Sequence, residues 1–138
     1  MLVEEIMSPS PALVDISASV RDVLDTFLAL DIRYAPVVSN GEYMGVVSER
    51  ELKEFIYPLT GSVEHEAKHR SATQTKVREV LCADFPMVHP DMELVALIDL
   101  LLTREASMIP VVDKTSGELC GVVTLMDVIK AARTLFDD

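Results

Sequence analysis

Ile32-Arg-Tyr-Ala-Pro-Val-Val38 followed by Gly45-Val-Val-Ser-Glu-Arg-Glu51 is met again as Ala106-Ser-Met-Ile-Pro-Val-Val112 followed by Gly121-Val-Val-Thr-Leu-Met-Asp127. Pro36 and Pro110 set an offset of 74; Gly45 and Gly121 set one of 76, with the two extra residues around Lys114 to Ser116. The offset of 74 also reaches backwards. Val3-Glu-Glu-Ile-Met7 aligns with Val77-Arg-Glu-Val-Leu81, and Val20, Val23, Leu24, Phe27 and Leu28 align with Leu94, Leu97, Ile98, Leu101 and Leu102. A fixed internal period is the signature of a repeated structural unit. It divides the chain into a first repeat, 1–56, a polar linker, 57–76, and a second repeat, 77–138.

Each repeat reads the same way. A short strand is predicted over Ala12 to Ile16, and again over Pro86 to His89. A helix follows, with apolar residues at i, i+3, i+4, i+7 and i+8, the spacing of one buried helical face. Ser17 or Ser19 suits the cap of the first helix and Asp91 that of the second, which runs from about Asp91 to Thr103. An apolar strand comes next, Ala35 to Val38 or Ile109 to Val112. A turn (Asn40-Gly41; Ser116-Gly117) leads to a second strand, Tyr43 to Val47 or Leu119 to Val123. A last helix runs from about Glu49 to Ile56 and from about Leu125 to Phe136. The unit is β-α-β-β-α, twice.

This tandem pattern resembles a pair of CBS domains (cystathionine-β-synthase domains, a Bateman module). The family pattern places a hydrophobic residue, two variable residues, a hydrophobic residue and proline in one segment. The next segment has glycine, two hydrophobics, Thr or Ser, two variable residues and Asp. Both segments stand in both repeats, in order, and the resemblance spans residues 2 to 136. It implies an α/β (α+β) fold of two β-α-β-β-α repeats packed with pseudo-twofold symmetry. It also implies a module that binds an adenosine-type ligand, AMP, ADP, ATP or S-adenosylmethionine, between the repeats. Such modules regulate a protein rather than catalyse, require no cofactor or metal, and dimerise through their helices. Glu51 in place of Asp departs from the pattern, as do Asp31 and Glu105 where the family has glycine.

Thr124 and Asp127 lie where a strand turns into a helix, so exposed N–H groups and the positive helix end suit an anionic phosphate. By resemblance, Asp127 is the ribose ligand and Thr124 the phosphate ligand. The same spacing is a capping box, and one hydroxyl can serve both roles. Ser48 and Glu51 are the first-repeat equivalents, with a carboxylate one methylene longer. The intact Thr-x-x-Asp makes the Asp127 site the tighter one in expectation. Arg50 and Arg33 are able to supply charge to a phosphate or to stand as solvated surface residues. Adenine needs an apolar slot with backbone donors and acceptors. Met108, Ile109 and Pro110 are expected on one wall, with Asp84, Phe85 and Pro86 opposite. In the first repeat Tyr34, Ala35 and Pro36 are expected to face Ser10 and Pro11.

Composition narrows the remaining classes. Hydrophobic residues make up 49% and charged residues 25%, an ordinary globular balance. Twelve Lys and Arg stand against 23 Asp and Glu, a formal charge of −11, which argues against a nucleic-acid surface. No apolar run is long enough for a membrane span. No signal peptide is visible at Met1 to Glu5, so the expected location is the cytoplasm, with Cys82 and Cys120 as free, buried or half-buried thiols. The linker carries His65-Glu66-Ala67-Lys68-His69, a zinc-peptidase spelling on a short polar segment with no apolar face. It reads better as an exposed helix with i,i+4 ion pairs than as a catalytic metal site. The helix from about Asp91 to Thr103 is apolar nearly all round. Leu94, Leu97, Ile98, Leu101 and Leu102 suffice to face its own sheet, and Val95 and Leu100 are left for a second cover. Ala29 and Leu30 extend the argument to the first helix. A homodimer is the expectation. The competing class is an interaction or assembly module with vestigial sites.

Overall fold

The protein is described by a computed structural model, which covers residues 1–10, 12–56 and 74–137. The elements are β1 (Val14–Asp15), α1 (Val20–Leu30), β2 (Tyr34–Ser39), β3 (Glu42–Ser48), α2 (Glu49–Ile56), α3 (Leu94–Arg104), β4 (Met108–Val112), β5 (Leu119–Thr124) and α4 (Leu125–Thr134). Single 3-10 turns at Val3–Glu5 and Val77–Glu79 lead into the two repeats. The chain is mixed α and β. Among the described residues no helix is long and apolar enough to cross a membrane.

The residues form two compact units that do not follow chain order. One holds the described residues of Pro11–Asn40 and Met44–Phe85; the other holds Met1–Ser10, Gly41–Tyr43 and those of Pro86–Asp138. In the first, the sheet order is β1-β2-β3, with β1 parallel to β2 (Val14 opposite Val37). Its core gathers Val20, Val23 and Phe27 from α1, Ala35, Val37 and Val47 from the sheet, and Leu52 and Ile56 from α2. Val77, from the lead-in of the second repeat, completes it. Each fully buried Val or Leu contributes roughly 1.5–3 kcal/mol.

In the second unit β4 runs antiparallel to β5, with Met108 opposite Thr124 and Pro110 opposite Val122. Its core is Val88, Leu97, Leu101, Ile109, Val111 and Val123, together with Val3 from the start of the chain. Val3 and Val77 hold the same position in the two repeats, and each is fully buried. Each lead-in segment therefore packs into the core dominated by the other repeat.

Several local expectations shift. The strand expected over Pro86 to His89 is a single parallel bridge, Val88 to Val111, because the flanking Pro86 and Pro90 have no N–H to extend it. Ser19, not Ser17, caps α1, accepting from Asp22 N at 3.1 Å; Ser17 instead turns back onto the Asp15 carboxylate. Asp91 does not cap α3. It pairs with Lys114 at 2.7 Å, and Leu94 N donates to Met1 O at 2.9 Å at the helix start. The buried face of α3 also turns: Leu100 packs against the core, whereas Leu102 is 73% exposed beside Val95 at 71%. Leu28, the first-repeat counterpart of Leu102, is 69% exposed. One residue along a helix is a rotation of about 100°, so Leu102 and Leu28 leave the stripe that Leu101 and Phe27 hold.

Candidate functional site

The junction of β3 and α2 builds the first site. Ser48 Oγ accepts from Glu51 N at 3.1 Å, and Glu49 N donates to Arg33 O at 2.8 Å, which locks the turn. Val46 exchanges backbone hydrogen bonds with Cys82 at 3.0 and 2.8 Å, laying the 82–85 segment along the end of β3. Gly45 permits this: a Cβ there would lie 2.6 Å from Cys82 O, and its φ is +151°. Phe85 is thereby brought to Tyr34, with ring centroids 6.3 Å apart and planes tilted by 49°. Tyr34, Ser48, Glu51, Cys82 and Phe85 share a cleft of about 310 Å³ with Val46, Arg50 and Glu54.

Burial, and then the charge of Glu54, push the Glu51 carboxyl above its ordinary value; Arg50 opposes them and Asp84 adds to them. The Cys82 thiol donates to Asp84 Oδ1 at 3.0 Å. That hydrogen bond first, then burial and the charges of Asp84 and Glu51, push the thiol pKa up. A raised thiol pKa leaves less of the nucleophilic thiolate, and Cys82 lines the cleft.

A second cavity of about 440 Å³ shares Tyr34, Ser48, Arg50 and Glu54 with the cleft and adds Arg33, Glu49 and Lys53. Lys53 pairs with Glu49 at 2.6 Å and Arg50 with Glu54 at 3.0 Å, both one turn apart on α2. The Lys53 hydrogen bond holds the Glu49 carboxyl below its ordinary value, with the charges of Lys53 and Arg33 adding to it.

The junction of β5 and α4 repeats the plan with tighter chemistry. Thr124 Oγ1 accepts from Asp127 N at 3.2 Å, and Asp127 Oδ2 accepts from Thr124 N at 2.9 Å, a reciprocal capping box. The same Oδ2 accepts from Thr124 Oγ1 and from Ser8 Oγ, each at 3.0 Å. Ser8 exchanges backbone bonds with Val122 at 2.9 and 2.8 Å, as Cys82 does with Val46. A Cβ on Gly121 would lie 2.7 Å from Ser8 O. Asp127 opens onto a cavity of about 290 Å³ shared with Glu5, Ile6, Lys130 and Thr134.

Asp84 and Phe85, expected opposite Met108, lie in the unit of Tyr34, and the 1–10 segment, whose Ser10 was expected opposite Tyr34, lies in the unit of Thr124 and Asp127. Ser10 lies in the unit of Thr124, and Pro86 falls in that same unit with Met108, Ile109 and Pro110. Ile109 and Pro110 are buried in β4, as Ala35 and Pro36 are in β2, so they act chiefly as core. Arg33 and Arg50 are exposed, and Cys120 is exposed rather than half-buried. Pro11 and the His65 to His69 motif lie outside the described residues. Among the described residues no group of three or more His, Cys, Asp or Glu is placed to hold a metal. Ser8 and Lys53 were not among the sequence candidates. The offset of 74 that aligns Ser8 with Cys82 carried the signal for Ser8, since both stand against the glycine of a Gly-Val-Val segment.

The CBS domain family model matches residues 3–58 and 77–134. The uncharacterized protein MJ1426 of Methanocaldococcus jannaschii is 28% identical in an alignment that covers 95% of this chain and 90% of that protein. CBSX2 from Arabidopsis thaliana is 26% identical and superposes with a TM-score of 0.79, over 99% of this chain and 97% of that one. CBSX2 in complex with AMP superposes with the same TM-score at 24% identity, over 97% of each chain, and at that identity shows the shared fold.

Proposed function

Since the chain belongs to the CBS-domain family, in two tandem copies, we propose that it is a regulatory module sensing an adenosine-type ligand rather than an enzyme. The ligands that fit this reading are AMP, ADP, ATP and S-adenosylmethionine. The observation that carries it is the Asp127 carboxylate, whose Oδ2 already accepts two hydroxyl hydrogens, from Thr124 and Ser8. A ribose presents two hydroxyls of the same kind, and a carboxylate at the first turn of a helix is positioned to accept both. The AMP bound by CBSX2 is a ligand of this class. Ligand binding acts by favouring one of two conformations of this module or of a protein it regulates.

Calorimetry on the intact chain with each of the four ligands tests the reading. Replacing Asp127 with Ala removes the ribose acceptor and is expected to weaken binding at that site by roughly 2–4 kcal/mol, the worth of two hydrogen bonds to a charged acceptor. Unchanged affinity in Asp127→Ala would overturn the site. No heat with any of the four would favour the alternative, an assembly module with vestigial sites.

A further inference from the structure

The two repeats place the same backbone around each site, but not the same charge. Beside Ser48 and Glu51, three cations, Arg33, Arg50 and Lys53, share one cavity of about 440 Å³. It borders the cleft of about 310 Å³ that holds Tyr34 and Phe85, with Tyr34, Ser48, Arg50 and Glu54 lining both. One compartment offers aromatic faces and a carboxylate, and the other offers cations. The carboxylates Glu49 and Glu54 each hold one of these cations, while Arg33 is in none of the ion pairs of the described residues. Exposed pairs of this kind are weakly held and readily exchanged for a doubly charged ligand. Guanidinium groups bind phosphate oxygens through two parallel hydrogen bonds.

The counterparts of Arg33, Arg50 and Lys53 in the second repeat are Ser107, Met126 and Ile129. None carries charge, and Met126 and Ile129 are 57% and 60% exposed. The cavity at Asp127 sets two carboxylates, Glu5 and Asp127, against Lys130 and Met1, whose ammonium lies 4.0 Å from Glu93. Both α2 and α4 begin at the end of a strand with the same Ser/Thr-x-x-acid turn, so the helix N-terminus does not distinguish the sites. The side-chain cations do: Arg33, Arg50 and Lys53 line the first cavity, whereas in the second repeat Lys130 stands where the first has Glu54.

Resting on the adenosine-ligand reading above, we infer that the two sites sort ligands by charge. The Ser48–Glu51 site takes a phosphorylated adenosine ligand, with Arg33, Arg50 and Lys53 on its phosphate. The Thr124–Asp127 site does not select for phosphate and is the one left to an adenosine ligand that lacks it. Asp127 makes the second site the better one for the ribose alone; a phosphate reverses the order. One chain would then report two different ligands rather than one ligand twice.

Adenosine and AMP are the probes, titrated calorimetrically into the intact chain at low and high salt. The expected result is one site preferring AMP to adenosine by about tenfold or more, with a preference that shrinks as salt rises, and one site indifferent to the phosphate. In the variant Arg33→Ser, Arg50→Met, Lys53→Ile each residue becomes its second-repeat counterpart, and the AMP preference is expected to fall to near unity. The Thr124–Asp127 site carries none of these changes and is the internal control for folding. An AMP preference that survives the triple change, that is equal at both sites, or that disappears in Asp127→Ala overturns the sorting but leaves the adenosine reading standing. Binding of neither probe overturns the adenosine reading and the sorting with it. Should the variant not fold, an AMP preference insensitive to salt in the intact chain overturns the sorting by itself.

Discussion

Ser8 Oγ donates to Asp127 Oδ2 at 3.0 Å across 119 residues of sequence. The carboxylate that starts α4 therefore also fastens the segment that starts the chain. Two backbone bonds between Ser8 and Val122 and the buried Val3 hold the same segment.

Replacing Ser8 with Ala removes one of three hydrogen bonds to a part-buried carboxylate. The expected loss is about 1–2 kcal/mol, since the acceptor is charged but its other two donors remain. Urea denaturation checks it, with Ser8→Thr as the variant that keeps the hydroxyl. An unchanged midpoint in Ser8→Ala would show that the backbone pairing alone holds the segment.

Asp31 and Glu105 end α1 and α3 in the left-handed conformation, at φ +52° and +51°. Ile32 N and Ala106 N then bond back to Phe27 O and Leu101 O, a helix stop that glycine makes without steric cost. Substituting Glu105→Gly is expected to stabilise the protein by about 1 kcal/mol, and Asp31→Gly by less, because a short polar side chain tolerates this region better. The added freedom of glycine in the unfolded chain offsets part of each gain. Thermal melting is the measurement; a lower melting temperature for Glu105→Gly would refute the strain argument.

Glu51 has its carboxyl pushed above the ordinary value, by burial first and Glu54 next. Folding thus favours its protonated form. That contribution is complete below the ordinary glutamate range and is lost as the pH rises through the raised value. Relative to Glu51→Gln, the intact protein should lose stability over this interval and be the less stable of the two at neutral pH. Denaturation midpoints for both proteins at several pH values give the difference directly. A difference that does not vary with pH would remove Glu51 as its source.

Val95 and Leu102 on α3 and Leu28 on α1 are each about 70% exposed, and apolar helical faces of this kind are usually covered by another surface. We expect a homodimer in light scattering, and a shift to the monomer mass in Val95→Glu. A monomer mass for the intact chain at micromolar concentration, with and without ligand, would rule this out.

The repeat, the helices α1 to α4 and the hairpin strands were legible in the sequence because their signals are local. Apolar spacing along α1 and α3, Asn40-Gly41 between β2 and β3, and Ser-x-x-Glu or Thr-x-x-Asp at a strand end each depend on residues within a few positions. The family followed from two such segments standing in order in both repeats.

The composition of each site was not local, and the tertiary structure decided it. Nothing near Phe85 says that it meets Tyr34, and nothing near Ser8 says that its hydroxyl reaches Asp127. Those pairings depend on which strand end accepts each lead-in segment. That is set by a backbone bridge at Val46 or Val122, by the missing Cβ at Gly45 or Gly121, and by the room for Val77 or Val3 in a core. The two lead-in segments are alike in sequence, so local preference does not distinguish their destinations. Only the long-range packing of the folded chain does.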